Sequence, residues 1–126
     1  MKLDQEAFLE VARTDFEFTR ETRYLTGVIR VDFGDQSWAM SFANGAFAGI
    51  TDGTKLPDAE CTIVVAGTPE QWDALLEVKP KPFYQCLQSA AVKHGMSLNV
   101  ANETFAYLPA LNRMTSLLRQ MKNGRA

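Results

Sequence analysis

Residues 24–67 read YLTGVIRVDFGDQSWAMSFANGAFAGITDGTKLPDAECTIVVAG, and this stretch decides the fold. It holds four short runs in which apolar residues alternate with polar or small ones. Ile29, Val31 and Phe33 share one face against Arg30 and Asp32. Trp38, Met40 and Phe42 oppose Ser37, Ala39, Ser41 and Ala43. The third run sets Phe47 against Ala48 and Ile50, and the fourth sets Cys61, Ile63 and Val65 against Thr62 and Val64. A period of two with one apolar face predicts half-buried antiparallel strands. Asn44-Gly45 predicts a type I′ hairpin between 37–43 and 46–52, because both central positions of that turn need positive φ. Gly34-Asp35 marks the preceding turn, and Asp52-Gly53 opens a longer loop through Lys55 and Pro57.

Helices are expected on both sides of this meander. Asp4 can accept the free N–H groups of a first turn and start a helix to about Arg13, with Phe8, Val11 and Ala12 as its inner stripe. Residues 15–23 alternate, Phe16 and Phe18 sharing a face with Arg20, and read as an edge strand or extended lead-in. Thr68-Pro69-Glu70-Gln71 is a capping box with proline at the first helical position. The helix it starts carries Trp72, Leu75 and Leu76 and stops before Lys79-Pro80-Lys81-Pro82, where each ring removes a donor. Phe83, Leu87, Ala90 and Ala91 then fall at helical spacing up to His94-Gly95. Met96 to Val100 predicts a fifth strand, with Leu98 and Val100 on one side. From Asn102 a C-terminal helix carries Tyr107, Leu111, Met114, Leu118 and Met121, widened by Leu108 and Leu117. Pro109 kinks it or marks its true first turn, and Arg113, Arg119, Lys122 and Arg125 suit its negative end.

Composition narrows the function classes. The 126 residues are 46% hydrophobic and 22% charged, with a net charge of −2, as expected for one globular domain with a real core. Mixed acids and bases argue against nucleic acid as partner, since phosphate binding needs a concentrated basic surface. No apolar run approaches the ~20 residues that span a bilayer. The acidic N-terminus lacks an apolar leader. With Cys61 and Cys86 spaced for neither a redox pair nor a metal site, a cytoplasmic chain with reduced thiols is expected.

Chemistry-bearing residues are few. His94 is the single histidine, which excludes a multi-histidine metal site, and its place before Gly95 fits a helix end. Asp35, Asp52 and Asp58 lie beside turn signals, where aspartate serves local hydrogen bonds. Arg20, Arg23 and Arg30 fit either the solvated face of a sheet or an anionic head group at a cavity mouth. Trp38, Met40, Phe42, Phe47, Trp72, Phe83 and Phe105 fill a core or line a cavity, and composition does not separate the two. No metal, cofactor or catalytic residue is expected.

The run Trp38-x-Met40-x-Phe42-x-Asn44-Gly45, then Asp58-Ala59-Glu60-Cys61-Thr62-Ile63, then a capped helix with Trp72 and Leu75-Leu76, resembles the sterol carrier protein 2 (non-specific lipid-transfer) family. The match follows the order of elements over about residues 25–122. The resemblance implies an α+β fold: a curved five-stranded, mainly antiparallel sheet with helices packed on one face around an apolar tunnel. It implies a lipid-binding or lipid-transport function, with fatty acyl chains, sterols or other apolar molecules as ligands. Carried over by position, Trp38, Met40 and Phe42 come from the sheet, Trp72, Leu75 and Leu76 from the covering helix, and Met114, Leu117 and Leu118 from the last helix. Phe83 and Phe105 complete the expected cavity set. Gly95-Met96-Ser97-Leu98-Asn99-Val100 departs from the family's basic, glycine-rich fifth strand, and the family's peroxisomal C-terminal tripeptide is absent.

Two other functions stand beside a lipid carrier. One is a small cone-shaped hydrolase or isomerase, or an enzyme's accessory subunit, using polar groups such as Tyr24, Arg30, Asp32 and Tyr84. The other is an interaction module whose last helix docks on another protein or forms a homodimer.

Overall fold

The computed structural model describes residues 3–124; the readings at Met1, Lys2, Arg125 and Ala126 lie outside them. Six helices and five strands follow the order α1 (Gln5–Thr14), α2 (Phe16–Glu21), β1 (Gly27–Asp32), β2 (Ser37–Ala43), β3 (Ala46–Asp52), β4 (Ile63–Ala66), α3 (Pro69–Leu75), α4 (Leu87–His94), β5 (Ser97–Leu98), α5 (Asn102–Ala106) and α6 (Leu108–Lys122). A 3₁₀ turn, Asp58–Glu60, precedes β4. The sheet order is β3-β2-β1-β4-β5. Its pairs are antiparallel except β1 with β4, which run parallel.

The hairpin forms where Asn44-Gly45 predicts it, with φ of 50° and 84°. A Cβ on Gly45 would lie 2.0 Å from the Arg23 carbonyl oxygen, so the turn needs both the left-handed conformation and the bare backbone. One register detail departs from simple alternation. The ladder shifts between Ser41 and Phe42, pairing Phe42 with Phe47 and Met40 with Ile50. Ala48 is the extra residue of this bulge, so Phe47 and Ile50 share the core side instead of opposing each other. Arg13 of α1 secures it, donating to the carbonyls of Phe47 and Ala48 at 3.0 and 2.9 Å.

Residues 15–23 hold a capped helix, Phe16–Glu21, and the turn after it, not an edge strand. Asp15 caps α2 by accepting from the Phe18 amide at 2.8 Å. Phe16 is 78% exposed and Phe18 1%, so the two rings that alternation placed together point apart. The proline-rich spacer runs further than its spacing suggests: Phe83 adopts φ of 68° outside any helix, and α4 begins at Leu87. Gly95 ends α4 in the left-handed conformation. The fifth strand is shorter than expected. The Asn99 side chain, not a further strand residue, accepts from the Val64 amide at 2.8 Å. The chain turns away there and leaves Val100 88% exposed instead of beside Leu98. The C-terminal helix breaks at Tyr107, and Pro109, in the first turn of α6, has no N–H to donate back across the break.

The core lies between the helices and one face of the sheet. Ile29, Val31, Trp38, Met40, Phe42, Ile63 and Val65 are buried there with Phe8, Phe18, Trp72, Leu75, Leu111, Met114 and Leu118. Val11, expected on the inner stripe of α1, is exposed. Residues of α6 reach across to the end of α3. Arg119 donates to the Leu75 carbonyl and Asn123 to that of Leu76, satisfying acceptors that a helix end leaves open. Cys61 and Cys86 are half-buried and unpaired.

Candidate ligand groove

The expected sheet residues do face the helices, and aromatic rings occupy the space they face. Phe8 of α1 lies 5.6 Å from Trp38, and Phe18 of α2 lies 6.2 Å from Phe42, centroid to centroid. Phe33 packs against Trp38 at 4.9 Å and Trp72 at 4.7 Å. Trp72 is further fixed by an indole N–H donated to the Asp32 carbonyl at 2.8 Å. Trp38, Met40, Phe42, Trp72, Leu75, Leu76, Met114, Leu117 and Leu118 are all buried. Phe83 and Phe105, by contrast, reach the surface.

Those two exposed rings mark a different feature. An apolar groove of about 200 Å³ runs between α4, the β5 edge and the α5–α6 corner. Its walls are Ala91 and Val92 of α4, Leu98 and Val100 at the sheet edge, and Phe105 and Leu108 across from them; Gln88, Asn99 and Thr104 supply its polar atoms. A shallower cleft beside it, lined by Phe83, Ser89 and Lys93, shares Gln88 and Val92.

Local chemistry builds the groove. Asn99 ties three elements together. Its Oδ1 accepts from the Val64 amide and from the Thr104 hydroxyl at 2.7 Å, while Nδ2 donates to the Thr62 carbonyl at 3.3 Å. This holds α5 against β4 and keeps the short β5 open towards α4. Gln88 differs from its neighbours: its Oε1 is buried and bonds to no protein group. A buried acceptor without a donor is costly. No lining residue carries a charge.

The opposite sheet face carries the charged residues. Arg30 donates to the Leu56 carbonyl and pairs with Asp58, with Asp32 3.4 Å away. Burial pulls its pKa down, but Asp58 and Asp32 outweigh that and leave it raised. The arrangement tethers the 53–61 loop to β1. Asp32, Gly34, Asp35, Gln36, Ser37 and Thr54 line a separate polar cleft, to which Ser37 contributes a hydroxyl bonded to Asp32. Tyr24 and Tyr84 are not among its walls: Tyr24 is exposed under the Arg23 guanidinium, and Tyr84 stacks on His94 at 3.8 Å. Of the four polar residues considered for an enzyme, Arg30 and Asp32 lie together as an ion pair, and Tyr24 and Tyr84 make their contacts elsewhere. Burial raises the Cys61 thiol above its ordinary pKa, opposite to what an activated thiolate needs. Among the described residues, no cluster of His, Cys, Asp and Glu is arranged to hold a metal, and no helix is long and apolar enough to cross a membrane.

Of the expected cavity set only Phe105 lines this groove; Gln88, Ala91, Val92, Leu98, Asn99, Val100, Thr104 and Leu108 are not in that set.

With this geometry in place, the relationship to known proteins is one of shape. No family model and no curated protein matches the sequence. The fold superposes on a crystal structure of sterol carrier protein 2 with a TM-score of 0.68 at 14% identity, over 92% of this chain and 93% of that one. A conserved hypothetical protein from Thermus thermophilus, described as possibly sterol carrier protein, gives 0.57 at 15% identity, covering 96% and 90%. A protein titled UbiJ-SCP2 ubiquinone synthesis protein gives 0.54 at 13%, covering 90% of both chains. The chain has the sterol carrier protein 2 fold, with a mostly antiparallel five-stranded sheet and six helices.

Proposed function

We propose that this protein binds and carries a lipid or another apolar small molecule, with the α4–β5–α5 groove as the point of entry. The observation that carries the reading is an uncharged apolar groove with one buried, unbonded acceptor, Gln88 Oε1, at its wall. An apolar chain or ring entering there leaves water at ~25 cal/mol per Å² buried, and a ligand donor would satisfy the glutamine oxygen. Fold neighbours named as sterol carriers support the same class. The ubiquinone synthesis protein adds quinone-like isoprenoids to the ligands worth testing. Phe105 belongs to the groove itself. The expected set Trp38, Met40, Phe42, Trp72, Leu75, Leu76, Met114, Leu117 and Leu118 forms the packed interior that a longer ligand would have to part, and Phe83 stands at the outer cleft.

Native mass spectrometry with a panel of sterol, fatty acid, phospholipid and isoprenoid quinone tests the reading. Ala91→Phe fills the groove from a half-buried helix position. The expected result is a ligand adduct on the wild type and at least about tenfold weaker binding by the variant, the loss of one or two buried apolar groups. No adduct from any class, or equal binding by a folded Ala91→Phe protein, would overturn it.

A further inference from the structure

We infer that the face around the groove mouth is a docking surface for an anionic lipid bilayer. Residues 78–102 contain Lys79, Lys81 and Lys93 and no aspartate or glutamate, a charge of +3 in a chain whose net charge is −2. All three lysines are exposed. The same stretch and the adjoining α5 carry five exposed large apolar residues: Val78, Phe83, Val92, Val100 and Phe105. Four of them adjoin one another. Val92 lines both the groove and the cleft beside it, joining Phe83 on one side to Val100 and Phe105 on the other. Lys93 Nζ stands 5.3 Å from the Phe83 ring.

Specific contacts set the conformation of this face. Phe83 keeps a positive φ that a bulky residue adopts only at a cost. His94 Nε2 lies 3.0 Å from the Pro82 carbonyl and the His94 ring stacks on Tyr84. These contacts pin the spacer to the end of α4 and present Phe83 outward. Exposed apolar side chains with Lys93 among them, on an acid-free stretch that also holds Lys79 and Lys81, match the layers of a membrane interface, acyl boundary beneath and anionic head groups around. A second copy of the chain fits less well, because a two-fold interface would set the lysine-bearing face against itself. Glu77 precedes the acid-free stretch, and Glu103 of α5, two positions before Phe105, brings the charge of residues 78–105 to +2. The proposal does not depend on the groove taking a ligand.

The test is co-sedimentation of the full chain with phosphatidylcholine vesicles, with and without about 30% phosphatidylserine to supply anionic charge. Each lysine near the surface is expected to contribute about fivefold, so the anionic vesicles should bind on the order of 100-fold more tightly, and about 0.5 M salt should abolish the difference. Lys79→Glu/Lys81→Glu/Lys93→Glu should lose the preference. Val92→Ser/Val100→Ser should weaken binding at any salt. Both variants change exposed side chains only, and circular dichroism checks their folding. Ala91→Phe, which closes the groove, should still bind vesicles, separating this surface from ligand uptake. Binding to neither vesicle, equal binding to both, or an unchanged preference in the lysine variant would overturn the proposal.

Discussion

Arg113→Met should destabilise the protein by about 2 kcal/mol at neutral pH, and the loss should fade on acidification. Arg113 of α6 donates to both carboxylate oxygens of Asp15 at 2.7 and 2.9 Å, across 98 residues of sequence. Their side chains are 24% and 15% exposed. Exposed ion pairs contribute ~0.2–1 kcal/mol, and breaking a buried one costs ~3–5. Two parallel charge-assisted bonds at this depth fall between, near 2 kcal/mol, or about 8 °C in a domain of this size. Methionine keeps an apolar stem and removes the charge. The Arg113 bond lowers the Asp15 pKa, against an opposing push from burial, and the Phe18 amide lowers it further. A carboxylate whose folded pKa is depressed adds stability above its unfolded value near 4. That stability is lost as pH falls through the folded value. Wild type and variant should therefore differ fully at pH 7 and converge as the pH falls through the lowered folded value of Asp15. Urea denaturation across that range is the assay. Asp15→Asn retains a capping side chain but loses the charge, and it should flatten the same pH dependence. A gap that stays constant from pH 7 to the acid limit would show that the pair is not the source.

Asn99→Ala should cost about 2 kcal/mol, because it strips the Val64 amide and Thr104 hydroxyl of their shared acceptor; hydrogen exchange at Val64 should speed up, and unchanged exchange would refute the bridging role. Gly45→Ala should cost at least about 2 kcal/mol, from the left-handed backbone and the clash with the Arg23 carbonyl, as read by thermal unfolding. A near-neutral Gly45→Ala would mean that the turn relaxes freely.

Where the deciding physics is local, the sequence is readable. Asn44-Gly45 states its turn in two residues. Thr68 and Gln71 exchange both bonds of the capping box within one turn, as their spacing predicts. Asp4 caps α1 in the same way. The α2 segment is misread because its alternation is accidental: Asp15 caps it locally through the Phe18 amide, and Arg113 adds bonds to the same carboxylate that nothing near Asp15 announces. Phe47 and Ile50 fail for a related reason. A bulge changes which residues share a face without changing their hydrophobicity, and its anchor, Arg13, lies more than thirty positions away.

The candidate site is harder to read, for a physical reason. Hydrophobicity measures a residue's preference for leaving water, not whether a partner is present. Trp38, Met40 and Phe42 have that preference satisfied by rings from α1 and α2, whereas Val92, Val100 and Phe105 have it left open at the surface. Both groups look alike in a chain of letters. What separates them is the turn at Asn99, which shortens β5, and the left-handed Phe83, which delays α4. Both departures from regular spacing fall between Pro80 and Ala101, within the acid-free stretch. Where the regular pattern breaks, the fold leaves apolar surface uncovered, and the stretch that carries the breaks holds three lysines and no acid. Interrupted structure, open apolar surface and one sign of charge thus coincide at this corner, whereas the larger aromatic core has its apolar surface already covered.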